Sequence, residues 1–367
     1  MRYGRDALAN IPRTVHGGQA WKMGDIEDYS HNLNPFGPPE CLAEILRASA
    51  DGTGHYPDDN CTELKAEISR TLSLKEQNIV IGAGSSEIIR NFPNAFLERG
   101  DRAMICDPSF AEYSQQCRVA GAETVYSRLT EEEDFRMNTR DIASAKNIKA
   151  LYICNPNNPT GRIEPRDKIL ETVRECGDRG ILVFLDETLL DLVKGHENIS
   201  CMKYASEYDN LIVAGSLTKS FAIPGIRVGY CVSSPHLAEE INKVRITWNV
   251  GYIEQNAARL LLSEHTDHVS RAASLMAEES RYMHSELEKM GFPVGKISDS
   301  FFCFCSLKEL GIKGSEFQRR MLRDRIMVRD CASFGRRFEY YIRFSVKDRE
   351  RNDMFLRAAE NSMKHDG

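Results

Sequence analysis

The stretch Asn210-Leu211-Ile212-Val213-Ala214-Gly215-Ser216-Leu217-Thr218-Lys219-Ser220-Phe221-Ala222-Ile223-Pro224-Gly225-Ile226-Arg227 runs from an apolar segment straight into a cluster of polar groups. The apolar part, Asn210 to Ala214, reads as a buried strand. After it come the hydroxyls of Ser216 and Thr218, then Lys219, then Arg227. A lysine at the end of a buried strand is a poor structural choice, because its ammonium is strongly hydrated and rarely fully buried. It is a good chemical choice where an amine nucleophile is needed. Desolvation and neighbouring positive charge lower its pKa, and the neutral amine can then attack a carbonyl. The hydroxyls and the arginine suit a phosphate.

The flanking chain repeats the same layout. Asn78–Ile81, Ala103–Cys106, Thr124–Tyr126, Ala150–Cys154, Ile181–Leu185 and Arg227–Val232 read as further short strands. Helical spacing over Thr62–Leu72, Ser85–Phe96, Phe110–Ala120 and Pro165–Cys176 separates several of them. That alternation predicts an α/β fold with a mainly parallel, seven-stranded sheet and helices on both faces. Glu254 to Met290 reads as one or two long helices that link to a different kind of segment. There Phe301–Phe304, Ile326–Val328 and Tyr340–Phe344 are strand-like, and Ser315–Arg325 and Asp348–Met363 are helical, the former with Ser315 as N-cap. The expected organisation is an N-terminal arm over 1–35, a large domain over 36–265 and a small α+β domain over 266–367, on which the arm packs.

Composition narrows the function. The 367 residues carry a formal net charge of -6 and no basic tract, which disfavours nucleic acid as a partner. No apolar run approaches the roughly 20 residues that span a bilayer, and the first residues lack a signal-peptide apolar region. Eleven cysteines are scattered, most inside apolar runs, without disulfide or zinc-site spacing. A reducing, cytoplasmic enzyme without a metal is expected.

In an open parallel sheet, ligands gather at the carboxyl ends of the strands, and four more motifs lie there. Gly82-Ala83-Gly84-Ser85-Ser86-Glu87 opens a helix whose free N–H groups could hold an anion. It lacks the third glycine of a dinucleotide fingerprint, and alone it could be a plain turn. Asp107-Pro108-Ser109-Phe110-Ala111-Glu112-Tyr113 offers two aromatics, either of which could stack on a ligand ring. Asn155-Pro156-Asn157-Asn158-Pro159-Thr160-Gly161 is an irregular turn with side-chain amides to spare. Asp186-Glu187 follows five apolar residues, so its carboxylate needs a cationic partner, from a ligand or from a neighbouring lysine or arginine. In the last segment Arg329 and Arg343 lie at and within apolar runs, and two such arginines suit a substrate with two anionic groups.

Taken in order and spacing, Asn155–Gly161, Asp186 and Ser216–Arg227 resemble the fold-type I enzymes of pyridoxal 5'-phosphate (PLP), in the aspartate aminotransferase superfamily. The resemblance runs from His16 to Arg343. It implies that Lys219 is the Schiff-base lysine and Asp186 the partner of the pyridine nitrogen. Asn158 would bond the phenolic oxygen, and Ser85, Ser86, Ser216 and Arg227 would hold the cofactor phosphate. Tyr113 would stack on its ring. Tyr56 would reach the cofactor of a neighbouring subunit, which implies a homodimer with shared active sites.

Within the superfamily the chain resembles threonine-phosphate decarboxylases and, next, histidinol-phosphate aminotransferases. His16-Gly17-Gly18, Asn32-Leu33-Asn34-Pro35, Tyr56-Pro57-Asp58, Phe110-Ala111-Glu112-Tyr113, Pro224 and Arg329-Asp330-Cys331-Ala332-Ser333 favour the decarboxylases. That resemblance implies a small phosphorylated amino acid as substrate, bound by His16, Gly17, Asn32, Asn158, Arg329 and Arg343. The implied reaction is decarboxylation of O-phospho-L-threonine to 1-amino-2-propanol phosphate, the linker unit of cobamides (cobalamin-type cofactors). Phosphoserine and the aminotransferase reaction are the alternatives. One departure stands out: these families carry a tyrosine or phenylalanine three residues after the aspartate, and here that residue is Leu189.

Overall fold

The computed structural model describes residues 20–364, together with Leu8, Ile11, Thr14 and Gly17. Its strands in chain order are β1 (Glu27–Asp28), β2 (Ile79–Gly82), β3 (Arg102–Asp107), β4 (Glu123–Arg128), β5 (Ala150–Cys154), β6 (Leu182–Asp186), β7 (Leu211–Ser216), β8 (Gly229–Ser233), β9 (Phe302–Ser306), β10 (Ile326–Met327), β11 (Arg329–Asp330) and β12 (Tyr341–Ser345). Seven of them form the main sheet in the order β2-β8-β7-β6-β5-β3-β4. All its neighbours pair in parallel except β8, which is antiparallel to both β2 and β7. The expected α/β architecture with a mainly parallel seven-stranded sheet is the one observed.

The central strands β5, β6 and β7 are apolar along most of their length because both faces are covered, whereas edge strand β4 is polar and partly exposed. Alternate residues divide between two cores. Leu151, Ile153, Val183, Leu185, Leu211 and Val213 enter one, with helices Thr62–Leu72 and Arg166–Gly177. Tyr152, Phe184, Ile212 and Ala214 enter the other, with Ile88, Ile89 and Phe92 of helix Ser85–Phe96. Asp186 keeps the parity of Phe184 and Ser216 that of Ala214. Both polar side chains therefore emerge on the face that carries helix Ser85–Phe96.

The C-terminal segment has its own core. The antiparallel sheet β11-β12-β9 packs with helices Gly314–Met321 and Arg349–Met363 around Phe317, Phe344 and Phe355. The N-terminal arm joins it: β1 pairs in parallel with β10, and Tyr29 packs on Phe355. The stretch expected as one or two long helices is two, Tyr252–Glu264 and Thr266–Lys289. Ser315 does not cap its helix. The helix starts at Gly314, with Lys313 in the cap position, and Gly314 is tight against the Tyr341 carbonyl, where a Cβ would lie 2.5 Å away. No helix among the described residues is long and apolar enough to cross a membrane.

Candidate active site

Strands β5, β6 and β7 end side by side, with Cys154 paired to Asp186 and Asp186 to Ala214. Beyond β7 the chain makes one helical turn, Leu217–Ser220, which places Lys219 over the sheet edge. A cavity of about 270 Å³ opens there. Its lining includes Lys219, Arg227, Arg329 and Arg343 but a single carboxylate, Asp186. Such a site is built for anions.

Asp186 is buried and doubly held. Tyr113 donates its hydroxyl to Oδ2 at 2.6 Å, and the Thr188 amide donates to Oδ1 at 3.0 Å. Burial raises the pKa of this carboxyl, while those two hydrogen bonds and the charge of Lys219 oppose the shift. Burial also pushes the Lys219 amine down to about 8. The charges of Arg343 and Arg227 act in the same direction, and Asp186 acts against them.

One end of the cavity is a cradle. Gly84, at φ +79°, precedes helix Ser85–Phe96, and Arg227 donates through Nη2 to Ser86 Oγ at 3.1 Å. A Cβ on Gly84 would lie 2.4 Å from Arg227 Nη2, and one on Gly229 would lie 2.3 Å from the Ser85 amide nitrogen. Only glycines allow the helix start, β8 and the guanidinium to meet so closely. Ser85, Ser86, Ser216 and Arg227 all line this end, and Thr218 joins them.

Arg329 and Arg343 form the other end, paired directly across β11 and β12. Arg343 is buried and donates to Asn158 Oδ1 and to the Ser30 carbonyl. Burial brings its pKa down to about 10, with the charge of Arg329 adding to the shift and Cys331 opposing it. Arg329 donates to Ser333 Oγ at 2.9 Å. Gly17 lies against this pair: a Cβ there would meet the Ser30 carbonyl at 3.1 Å and Arg329 Nη1 at 3.5 Å. Asn32 lines the cavity, and among the described residues its buried Oδ1 and the buried Nε of Arg343 have no partner.

The structure therefore gathers Gly17, Asn32, Ser85, Ser86, Tyr113, Asn158, Asp186, Ser216, Lys219, Arg227, Arg329 and Arg343 around one cavity. His16 lies outside the described residues. Tyr56 is not in the lining. It is 73% exposed and stacked on Trp248, ring centroids 4.2 Å apart.

Tyr113 departs from the role expected of it. Its ring is fully buried and stacked on Tyr152 at 5.3 Å, and its hydroxyl is committed to Asp186. Phe110, the other aromatic of that motif, is half-buried and lines the cavity. Sequence reasoning did not single out His31 or Phe334, and gave no site role to Thr188 or Ser333, all of which also line it. For His31 the available signal was its place beside Asn32 in the Pro- and Gly-punctuated arm.

The residues present fit a phosphorylated aldehyde. An amine of lowered pKa can bond it, a carboxylate at the next strand end can face a ring nitrogen, and the cationic cradle has room for a phosphate. Chemistry of this kind on a mainly parallel sheet is that of the fold-type I pyridoxal-phosphate enzymes.

The chain belongs to the family "Aminotransferase class I and II", whose model matches residues 25–358. Its members are PLP-dependent. A relative from Caldanaerobacter subterraneus subsp. tengcongensis, named "Putative threonine-phosphate decarboxylase", is 30% identical over 348 residues, spanning 91% of this chain and 92% of its own. A histidinol-phosphate aminotransferase of Moorella thermoacetica is 28% identical over 337 residues, spanning 91% and 84%. Among solved structures, the histidinol-phosphate aminotransferase of Clostridium acetobutylicum superposes with a TM-score of 0.84 at 29% identity, over 92% of this chain and 98% of that one.

Proposed function

We propose that this PLP-dependent enzyme decarboxylates O-phospho-L-threonine to CO2 and (R)-1-amino-2-propanol O-phosphate, a step that supplies the linker of cobamides. The observation that carries the reading is the pairing of Arg329 and Arg343 across β11 and β12 at one end of the cavity. Two guanidiniums there suit a substrate with both a carboxylate and a phosphate. The relative of 30% identity supports the same reading. A second reading, transamination of a histidinol phosphate-like amine, is supported by the aminotransferase relatives of nearly equal identity.

PLP, when bound, draws electrons from the α-carbon of an amino acid joined to it. The chain's own residues do the rest. Lys219 anchors the cofactor through its amine. Asp186, oriented by Tyr113 and Thr188, would pair with the ring nitrogen and hold a proton there. Ser85, Ser86, Ser216 and Arg227 hold the phosphate. Asn158 accepts from Arg343 through Oδ1, which leaves its amide N–H groups to donate to the phenolic oxygen. Phe110 supplies the stacking face, since Tyr113 is engaged behind it.

Arg343 and Arg329, with His16, Gly17 and Asn32, hold the two substrate anions. How these anchors orient the substrate would decide whether its carboxylate or its α-hydrogen is lost, and Lys219 would deliver the proton that takes the place of CO2. Tyr56, exposed and stacked on Trp248, would serve the site of a second subunit in a homodimer. In this account residues 36–265 form the cofactor-binding domain, and residues 266–367 with the 1–35 arm form the substrate-closing one.

The PLP-loaded protein given O-phospho-L-threonine without any oxo acid tests the choice. Amine phosphate formed under those conditions supports decarboxylation. Turnover that requires 2-oxoglutarate supports transamination instead.

A further inference from the structure

His31 is a titratable side chain of the cavity lining that the mechanism above does not use. It lies in the arm between Ser30, whose carbonyl accepts from Arg343, and Asn32, whose Oδ1 is buried and unpartnered. Its own Nδ1 is buried without a partner among the described residues. A buried ring nitrogen without a partner is costly and calls for an explanation, and a polar ligand is one. The imidazole faces charged groups from every side. Asp28 lies on its own arm, Lys219 follows β7, and Lys347 follows β12. Arg343 and Arg329 share the cavity with it. Burial lowers the pKa of His31, and the charges of Lys347 and Lys219 act in the same direction against Asp28. The free protein thus holds His31 as a neutral imidazole beside cations.

A doubly charged phosphate entering this end changes that balance. Its second pKa is about 6, so near neutral pH it is mostly the dianion. Two negative charges beside an imidazole favour the imidazolium, and both ring nitrogens then become donors.

We propose that His31 binds the phosphate of the substrate and takes up a proton from solvent as the phosphate dianion binds. The inference rests on the phosphoamino-acid reading above, and it adds a recognition group whose charge appears only with the ligand. No covalent bond changes. One proton passes from buffer to the imidazole, and the phosphate remains a dianion.

The probe is O-phosphoethanolamine, which carries the amine and the phosphate but has no carboxylate to lose. Its binding to the PLP-loaded enzyme is measured by titration calorimetry near pH 7 in two buffers of different ionisation enthalpy. The wild-type protein is expected to bind with net proton uptake. His31→Asn is expected to bind about tenfold more weakly, the worth of one hydrogen bond to a charged group, and without uptake. His31→Gln, which can still donate, is expected to regain part of the affinity but none of the uptake. The cofactor absorbance of each variant confirms an intact site.

Equal affinity and equal uptake in wild type and His31→Asn overturn the proposal and leave the phosphoamino-acid reading standing. Failure of the wild type to bind either O-phosphoethanolamine or O-phospho-L-threonine overturns both.

Discussion

Lys219 concentrates the chemistry of this chain in one amine. It is half-buried near Arg343 and Arg227, and desolvation with those charges brings its pKa to about 8. A lysine of ordinary pKa would be almost wholly protonated at neutral pH and a poor nucleophile. Lys219→Ala is expected to bind PLP only non-covalently. Borohydride reduction followed by mass analysis checks this: the wild type retains a covalent adduct and the variant none. Retention of the adduct would move the assignment to another lysine.

Glu187, next to Asp186 along the chain, has a different role. It is buried and accepts from Ser200 Oγ at 2.5 Å and from the Cys201 amide at 2.7 Å, tying the loop after β6 together. Burial raises its pKa from 4.5 to about 7. The folded state thus holds a proton that the unfolded chain has released. The stability this contributes is fully present below pH 4.5 and is lost as pH rises through 7. The loss is of the order of 3 kcal/mol. Glu187→Gln should flatten that part of the stability–pH curve, measured by thermal unfolding at a series of pH values. An unchanged curve would contradict the assignment.

At this scale the sequence was legible where a polar residue interrupts an apolar run, because such a residue must have a partner. Asp186, Lys219 and Arg343 were found that way. Phe110 and Tyr113 were not separable, since only packing decides that Tyr113 turns its ring onto Tyr152 and its hydroxyl to Asp186. His31 carried no periodic signal at all.

Elements meet at the cofactor cradle. The start of helix Ser85–Phe96, the first residue of β8 and the Arg227 guanidinium converge on Gly84 and Gly229. A Cβ at position 229 would strike backbone rather than a flexible side-chain tip. Gly229→Ala is therefore expected to push the helix away from β8 at a cost of about 1–3 kcal/mol. Weaker PLP binding by fluorescence titration and a lower melting temperature are the readouts, and unchanged values of both would contradict this account of the cradle.

The strands and helices of the main sheet were legible because both faces are buried, so apolar runs stand out against the turns. The short pairings were not. Strands β1, β10 and β11 are two residues long and are set by tertiary contact rather than by any pattern in the chain. The end of helix Gly314–Met321 was misread for a similar reason: the close approach of Gly314 to Tyr341 fixes the start, and Ser315 falls inside.

On the scale of the whole molecule, the site is shared between two cores. Asp186 and Lys219 stand on the main sheet, while Arg329 and Arg343 stand on the smaller one. Arg343 ties them through Asn158 and Ser30. Arg343→Lys keeps the charge but loses the planar fork. It should raise KM for the phosphoamino acid at least tenfold while PLP affinity stays within about twofold. Equal KM values would contradict the anchoring role.

Tyr56, Ile246 and Trp248 are large and exposed on the chain taken alone. The homodimer reading places that patch against a second copy. Mixing Lys219→Ala with Tyr56→Ala protein tests it. Activity recovered in the mixture is expected, because one of the two sites in a mixed dimer has both residues. No recovery would separate Tyr56 from the partner's site.

Decarboxylation as proposed requires that the α-carbon lose its carboxylate and not its hydrogen. O-phospho-L-threonine labelled with ¹³C at the carboxyl group, incubated with the PLP-loaded enzyme and no oxo acid, tests it most directly by NMR. The account predicts labelled CO2 and unlabelled 1-amino-2-propanol phosphate in equal amounts. Label that stays in the phosphorylated product, with turnover only when 2-oxoglutarate is added, would contradict it.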